Sequence, residues 1–429
     1  MNRQDFIKTS ALATAGIISR PFITFANQSK YKVALIGCGW WGTNILREAV
    51  ASGVSNVVAL CDVDETQIKT CQNELKTWTS DQPKVFKDFR ECIKNTKPDI
   101  VINATPDHWH ALIAIEAMKN GAHVFLEKPI GHTIKEGSAI LKTARDTGKM
   151  CIVDFHRRYS PHNVSGMEFL RSGKVGHISE VRAFVNYAQG FGEQKPSEPL
   201  PDGMDWDMYC GPAKLIPYHS DIHPRAWRRQ RNFANGTLGD WAPHWFDQIL
   251  WWTEENAPKK IFSTSTKKSR DNIQDVPENQ LVTYEFESFI CFWEHSINNK
   301  RPVQQGENVG AYFHGTEGTF HMGWHGGWTF YPQSKNASII HEDPQLDLPD
   351  GQNIKLVWAD LIKSIESGKI PHADIKHGRY ATNMSLLGML SNDLGRSIIW
   401  DDEKDMVVGD VDANKLLRRD YRGEWVYPS

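Results

Sequence analysis

The stretch Tyr31-Lys-Val-Ala-Leu-Ile-Gly-Cys-Gly-Trp-Trp-Gly42 decides how the first part of the chain folds. Its apolar run from Val33 to Ile36 predicts a buried strand, and a helical pattern follows from Thr43 to Ser52. Between them lies Gly37-x-Gly39-x-x-Gly42, and this order is the context that a dinucleotide-binding turn requires. The first glycine permits the tight bend, the second lets backbone approach a pyrophosphate, and the third lets the helix pack on the strand.

A second predicted strand, Val57 to Cys61, favours NAD as the cofactor. It ends at Asp62, 20 positions after Gly42, where an acidic side chain binds the ribose hydroxyls of a dinucleotide. No Arg or Lys adjoins Asp62, and Asp64 follows it, so a 2′-phosphate would be repelled and NAD is favoured over NADP. The alternative is an ordinary βαβ unit with a glycine turn and no cofactor.

Residues 30–154 predict an NAD-binding Rossmann domain, an α/β unit with a doubly wound parallel sheet. We expect strands at 33–36, 57–61, 100–103, 122–126 and 151–154, and helices at 43–52, 65–76, 87–95, 108–120 and 134–147. Ligands bind at the carboxyl ends of such strands. The loops at Gly37, Asp62, Thr105 and Glu127 should therefore line one crevice.

From residue 155 to residue 429 the pattern changes and predicts a second, α+β domain. Aromatic alternating runs from Ile178 to Tyr187 and from Leu281 to His295 predict a large, mostly antiparallel sheet. Two apolar helices are expected at 241–252 and 376–395, and the polar segment from Lys267 to Asn279 is expected to be a surface loop.

The first 27 residues have the pattern of an export signal. Arg3 and Lys8 precede a small-residue apolar run from Ala11 to Ser19. Asn2-Arg-Gln-Asp-Phe-Ile-Lys8 resembles a twin-arginine signal in which Gln4 replaces one arginine. We expect a periplasmic protein; the alternative is a disordered arm on a cytoplasmic protein.

Composition narrows the possible partners. The 429 residues are 40% hydrophobic and 24% charged, as in soluble globular proteins, and no run past the first 27 residues is long enough to span a membrane. A net charge of −3 makes nucleic acid an unexpected partner. Seven scattered cysteines without zinc spacing predict neither a disulfide framework nor a metal site. The 16 Trp favour a carbohydrate ligand, because sugar rings stack on indole.

Two short motifs carry the candidate catalytic groups. Glu127-Lys128-Pro129 follows a predicted strand, which places Lys128 beside the expected nicotinamide. Asp240 and His244 are four positions apart, on one face of a predicted helix, so the carboxylate can orient an imidazole that acts as a general base. Taken singly, the first motif is also typical of a plain turn, and the second of a helix cap with a buried structural histidine.

Together these motifs resemble the Gfo/Idh/MocA oxidoreductase family, which includes glucose–fructose oxidoreductase and inositol 2-dehydrogenase. The resemblance implies a Rossmann domain followed by an α/β domain whose open sheet often supports homo-oligomers. It implies Lys128, Asp240 and His244 as catalytic groups. The implied cofactor-binding residues are Gly37, Gly39, Trp40, Trp41, Gly42, Asp62, Thr105, Pro106, His110, Glu127, Lys128 and His156. At His156 the relatives often carry Asn or Gln.

The substrate side is expected to come from aromatic and arginine residues. The candidates are Arg158, Tyr159, Arg225, Trp227, Arg228 and Trp241. Three of them lie in the irregular segment 205–228, for which the alternative is a structured surface loop; irregular segments of this length are more often functional.

Three functions remain open. The favoured one is NAD-dependent hydride transfer from a ring hydroxyl of a sugar or glycoside, such as that at C3. The second is a redox-neutral glycosidase that keeps NAD bound and acts by oxidation and elimination, as some relatives do. The α-N-acetylgalactosaminidase relatives typically carry Val where Lys128 stands, so the intact lysine favours the dehydrogenase. The third is a sugar or dinucleotide sensor without turnover, which loss of the catalytic groups would indicate.

Overall fold

The computed structural model describes residues 30–186, 197–266, 274–297, 307–348 and 351–429. The expected export signal lies outside these residues, as does half of the expected surface loop 267–279. Among the described residues, no helix has both the length and the apolar character needed to cross a membrane.

The first domain is built on a six-stranded parallel sheet with the order β3-β2-β1-β4-β5-β6. The strands are β1 (Tyr31–Ile36), β2 (Ser55–Cys61), β3 (Lys84–Phe86), β4 (Ile100–Asn103), β5 (His123–Leu126) and β6 (Cys151–Val153). All five predicted strands are present. The sequence missed β3, because its three residues are mostly exposed and carry no apolar run.

Five helices connect these strands, as the alternation predicted. They are α1 (Trp40–Ala51), α2 (Glu65–Trp78), α3 (Phe89–Thr96), α4 (His110–Lys119) and α5 (Ile134–Thr147). Helix α1 begins at Trp40, three residues earlier than expected, because Gly39 is already the extended residue that precedes the helix. The tryptophans of the glycine motif thus stand in the first helical turn.

The second domain is built on a ten-stranded mixed sheet with the order β14-β13-β12-β11-β7-β10-β9-β8-β15-β16. Its strands are β7 (Ile178–Asn186), β8 (Lys260–Ser265), β9 (Asn279–Glu285), β10 (Ile290–Ser296), β11 (Val309–Gly315), β12 (Gly318–Gly323), β13 (Trp328–Pro332), β14 (Ile340–Glu342), β15 (Ile398–Asp401) and β16 (Met406–Val407). Among the described strands of this sheet, only β7 and β10 pair in parallel. The run expected from 281 to 295 is two antiparallel strands joined by a turn.

Six helices accompany the second sheet. They are α6 (Pro161–Arg171), α7 (Trp206–Cys210), α8 (Gly236–Thr253), α9 (Ile354–Ser367), α10 (Ile375–Leu394) and α11 (Val411–Lys415). Helices α8 and α10 correspond to the two predicted ones and pack on each other. Helix α9 contacts α1 and β5, and α10 contacts α5 and β6. Chain from the second domain therefore covers part of the first sheet, and the two domains share a core.

Candidate active site

A cavity of about 820 Å³ lies at the carboxyl ends of the first sheet, under residues of the second domain. The cavity has two ends. The nucleotide end comprises Gly37, Gly39 and Asp62 with the first turn of α1. The reaction end comprises Lys128, Arg228, Asp240, His244 and Trp324. Residues of both ends line the same cavity.

The glycine turn forms the floor of the nucleotide end. Gly37 has φ +95°, and a Cβ there would lie 2.6 Å from the carbonyl oxygen of Ala104. A Cβ at Gly42 would lie 2.1 Å from the carbonyl oxygen of Gly37, so only glycine lets α1 approach β1. An added Cβ at Gly39 meets nothing within 4 Å, because this residue faces the cavity. The first turn of α1 thus presents backbone N–H groups to an anionic ligand, which fits a pyrophosphate.

Asp62 closes the nucleotide end after β2. Its Oδ2 accepts a hydrogen bond from the backbone N–H of Cys38 at 2.7 Å, and its Oδ1 accepts one from that of Asp64 at 3.0 Å. Burial raises the pKa of Asp62 despite these bonds. The carboxyl group lines the cavity beside the turn, so it fits the ribose of a bound dinucleotide.

Lys128 and Asp240 form the polar centre of the reaction end. Lys128 follows β5, and its Nζ donates to Oδ1 of Asp240 at 2.7 Å and to the backbone oxygen of Asp240 at 2.8 Å. The Nε of Arg228 lies 3.3 Å from the same Oδ1. Burial alone would raise the pKa of Asp240, but the charges of Lys128 and Arg228 lower it to about 2. Asp240 is therefore a carboxylate that holds the lysine in place.

His244 stands beside this pair without a hydrogen bond to it. The expectation that Asp240 orients His244 is wrong, because the carboxylate is turned toward Lys128 and Arg228 instead. Among the described residues, the Nδ1 atom of His244 has no hydrogen-bond partner. Burial, then the charge of Lys128, lowers the pKa of His244 well below its ordinary value. The imidazole is thus neutral and able to accept a proton.

Aromatic packing positions His244 in place of a hydrogen bond. The ring of Trp324 lies 5.3 Å from that of His244 and 4.9 Å from that of Trp241. The guanidinium of Arg157 lies 3.7 Å above Trp324 and also donates to its backbone oxygen. The sequence analysis missed Trp324 and Arg157; the only available signal was the glycine-rich, tryptophan-containing segment 323–328 between two strands.

The cavity includes most, but not all, of the predicted site residues. Those that line it are Gly37, Gly39, Trp40, Trp41, Asp62, Thr105, Pro106, Lys128, Arg225, Trp227, Arg228, Asp240, Trp241 and His244. Four expected cofactor residues do not line the cavity: Gly42, which packs against Gly37, and His110, Glu127 and His156. The ring nitrogens of His110 face the carbonyl oxygens of Pro129 and Thr105, so this histidine ties two loops together. Glu127 accepts from the indole of Trp41, and the buried His156 packs 4.9 Å from His244.

Two expected substrate residues also point away from the cavity. The Nε of Arg158 donates to both carboxylate oxygens of Asp247, at 2.7 and 2.8 Å, in a pair whose side chains are 2% and 1% exposed. The hydroxyl of Tyr159 donates to Asp360 and accepts from the backbone of Ala373. The expectation that they contact substrate is wrong, because both side chains bond to internal partners and neither lines the cavity.

The segment 204–234 covers the cavity and is no simple surface loop. It has its own apolar cluster, which includes Trp206, Tyr209 and Phe233. His223 contacts Asp64 through a 2.8 Å bond from Nε2 to Oδ2, and the backbone of Met204 bridges to Asp64. The segment therefore attaches to the loop after β2 and brings Arg225, Trp227 and Arg228 over the crevice.

Comparison with protein families decides the identity of both domains. Residues 31–155 match the family model described as "Oxidoreductase family, NAD-binding Rossmann fold", and residues 177–427 match its C-terminal alpha/beta domain. The chain belongs to the Gfo/Idh/MocA oxidoreductase family. Its first domain is the NAD-binding domain of that family, in agreement with the glycine turn and Asp62.

Individual curated relatives of this Gfo/Idh/MocA protein match only part of the chain, at low sequence identity. A "Glycosyl hydrolase family 109 protein 1" of Akkermansia muciniphila is 30% identical over 154 residues, or 35% of this chain and 32% of that protein. This chain matches between about a third and a half of the length of the first curated relatives.

Solved structures share the fold across the whole molecule. Aldose–aldose oxidoreductase from Caulobacter crescentus superposes with a TM-score of 0.67 at 17% identity, covering 86% of this chain and 100% of its own. Levoglucosan dehydrogenase, solved with NADH and levoglucosan, gives 0.66 at 18% identity, covering 89% and 100%. At these identities the likeness establishes the two-domain architecture.

Proposed function

We propose that this protein oxidises a ring hydroxyl of a sugar or glycoside with NAD as hydride acceptor. The observation that carries the proposal is the 2.7 Å bond between Lys128 and Asp240 beside a neutral, buried His244. All three side chains line the cavity that contains the glycine turn. The structural neighbours named above, an aldose–aldose oxidoreductase and levoglucosan dehydrogenase, bear names of the same reaction class.

Each residue at the reaction end has a defined task in this proposal. NAD, when bound, supplies the hydride acceptor for the carbinol carbon. His244 accepts the proton of the reacting hydroxyl, because its imidazole is neutral and faces the cavity. The Nζ of Lys128 donates to the oxygen on which negative charge develops. Asp240 and Arg228 keep Lys128 in position, and Trp241 and Trp324 offer indole faces to the sugar ring. The C3 hydroxyl is our candidate for the reacting group.

The first test uses protein purified without added cofactor. We would record its absorbance in the reduced-nicotinamide band, then add a panel of sugars and aryl glycosides with and without free NAD. The dehydrogenase predicts steady reduction only when free NAD is supplied. If no sugar produces reduced nicotinamide in the presence of NAD, the proposal is wrong.

A redox-neutral glycosidase is the second candidate function. What favours it is the name of the Akkermansia muciniphila relative, a family 109 glycosyl hydrolase. It predicts bound NAD in the purified protein and release of the aryl alcohol without net reduction. Lys128 argues against it, because the α-N-acetylgalactosaminidase relatives typically carry Val at this position. The same panel separates the two functions, since only the glycosidase releases aryl alcohol without consuming NAD.

We also propose that the protein is exported and acts as a homo-oligomer. The basic and apolar pattern of residues 1–27 supports export, and the mass of the mature protein in a periplasmic fraction tests it. The outer face of the second sheet exposes large apolar side chains on neighbouring strands, among them Phe262, Leu281 and Ile399. Such a face fits a second copy of the chain. Light scattering of the purified protein measures the expected dimer or higher oligomer.

A further inference from the structure

The reaction end carries more positive than negative charge. Lys128 and Arg228 both face the same oxygen of Asp240, at 2.7 and 3.3 Å, so two cations share one carboxylate. Asp107 lies buried behind them, where burial, then the charge of Asp240, raises its pKa well above the ordinary value. Two cations that share one carboxylate leave a local excess of positive charge, which favours a ligand that carries an anionic group.

The geometry of Arg228 leaves its guanidinium open to the cavity. Its side chain is 40% exposed, lines the cavity and packs 4.3 Å above the ring of Trp227. Nε faces the carboxylate of Asp240 at 3.3 Å, and the side chain remains partly exposed where it lines the cavity. Arg225 lines the same cavity three residues earlier, and no described carboxylate pairs with it. Beyond Nε, a planar guanidinium carries four N–H donors on its two terminal nitrogens, and their arrangement matches the geometry of a carboxylate or related oxyanion.

We propose that the sugar substrate is anionic and that Arg228 binds its oxyanion while Lys128 contacts the reacting hydroxyl; Arg225 lines the same cavity. The shared chemistry is a compact anionic group on the sugar ring, either a carboxylate, as in a uronate, or a sulfate ester. This proposal rests on the proposed function, because it assigns the substrate class of the same site. It makes Arg228 a specificity-determining residue rather than a second support for Lys128.

Two possible roles of Arg228 predict different effects of its removal on the reaction of neutral and anionic sugars. If its charge serves the developing alkoxide or a cofactor phosphate, removal of the guanidinium weakens the reaction of neutral and anionic sugars equally. If it binds an oxyanion of the substrate, only anionic sugars are affected. The ratio of kcat/KM values for matched anionic and neutral sugars therefore reports the role directly.

The experiment compares the wild type with Arg228→Gln and Arg228→Lys, and takes Arg182→Gln as the control. Arg182 lies on β7 and outside the cavity lining, and its side chain is also 40% exposed. The probes are D-glucose, D-glucuronate and D-glucose 6-sulfate, together with the same three compounds in the galacto series. We expect the wild type to prefer one of the anionic probes, and whether it is the uronate or the sulfate identifies the source of the oxyanion.

The expected change is in selectivity. Arg228→Gln should lower the anionic-to-neutral ratio of kcat/KM by about 10–100-fold, the effect of losing hydrogen bonds to a charged group. Arg228→Lys should restore part of it, since the charge remains but the paired donors are lost. The control should keep the wild-type ratio. A wild type that prefers the neutral probes, or an Arg228→Gln variant with an unchanged ratio, would overturn the inference.

A binding measurement separates this inference from the proposed function. Tryptophan fluorescence of the NAD-loaded protein, with Trp227 under Arg228, reports binding of each probe without turnover. Arg228-dependent binding of an anionic probe that is not oxidised would support the anionic site and contradict the proposed oxidation. Oxidation of sugars with equal binding of neutral and anionic probes would support the oxidation and contradict the anionic site.

Discussion

The two ends of the cavity are built in different ways. The nucleotide end comes from one continuous stretch, Tyr31 to Asp62, and it presents mainly backbone groups with a single carboxylate. The reaction end brings together side chains from segments that are 80 or more residues apart, at Lys128, at Arg228 to His244, and at Trp324. The nucleotide end fits a dinucleotide, a ligand that many proteins share. The reaction end determines which reaction that dinucleotide takes part in.

This difference has a consequence for substitutions. Backbone groups at the nucleotide end persist when a side chain is replaced, so affinity for the cofactor should change moderately. At the reaction end the proposed mechanism gives each task to one side chain: Lys128 donates to the developing alkoxide and His244 accepts the proton. Loss of Lys128 or His244 should therefore lower turnover strongly and leave the cofactor bound.

Replacement of Lys128 gives the largest expected effect. Lys128→Ala should lower kcat by about 10²–10⁴-fold, the usual contribution of a general acid–base group, because nothing else donates to the developing alkoxide. NAD affinity, measured by calorimetry, should stay within a few-fold of the wild type. Lys119→Ala, at an exposed position in α4, serves as the matched control. Normal turnover in Lys128→Ala would remove the lysine from the mechanism.

Replacement of Arg158 tests whether this arginine belongs to the protein core or to the reaction end. Its buried pair with Asp247 is part of the core, so Arg158→Ala should lower the free energy of unfolding by about 3–5 kcal/mol, as when one partner of a buried ion pair is removed. Chemical denaturation measures this loss. The exposed Arg182→Ala is the control and should change stability little. A variant with wild-type stability and a raised KM would return Arg158 to the substrate site.

Much of the first domain was predictable from sequence, because its signals are local. Apolar runs, the glycine turn and the acidic residue at Asp62 lie in order along the chain, and each was placed within a few residues. The exception, β3, forms through pairing with β2 rather than through its own sequence. In the second domain, the sequence predicted a single alternating run where the structure has the two strands β9 and β10. The reason is that the turn between them also contains apolar residues, Phe286 and Phe289.

At the reaction end the sequence identified residues better than it identified partners. Spacing placed Asp240 and His244 on one helix, but it contained no information about Lys128, 112 positions away, which takes the carboxylate. Likewise, no spacing rule distinguishes Arg158, which is buried against Asp247, from Arg228, which faces the cavity. Partners that come from distant segments are set by tertiary packing.

Replacement of Asp62 tests the nucleotide end. Asp62→Ala should weaken NAD binding by about 10–100-fold through loss of hydrogen bonds to a charged acceptor, and it should reduce the preference for NAD over NADP. Isothermal titration with both dinucleotides measures both effects. Glu91→Ala removes an exposed carboxylate in α3 and controls for net charge. An unchanged preference would exclude Asp62 from the ribose site.

The pH dependence of kcat/KM tests the reaction end with the smallest perturbation. The pKa of His244 lies well below 6.5, because burial and the nearby Lys128 disfavour the imidazolium. The imidazole of His244 is therefore neutral, and active as a base, at pH 6.5 and above. Protonation removes this basic form only as the pH falls below that value. The acid limb of kcat/KM should accordingly lie below pH 6.5.

Other carboxyl groups at this end can be separated from His244. Asp240, with a pKa of about 2, gives no limb in the measurable range. Asp107 has a raised pKa, so the profile is also recorded for Asp107→Asn, in which a limb due to His244 must persist. If that limb instead lay above pH 6.5, an opposite charge would be stabilising the charged imidazole of His244. Asp240 would then pair with His244 during catalysis and would no longer bind Lys128. In that case the reaction end rearranges during catalysis, whereas the backbone groups of the nucleotide end stay in place.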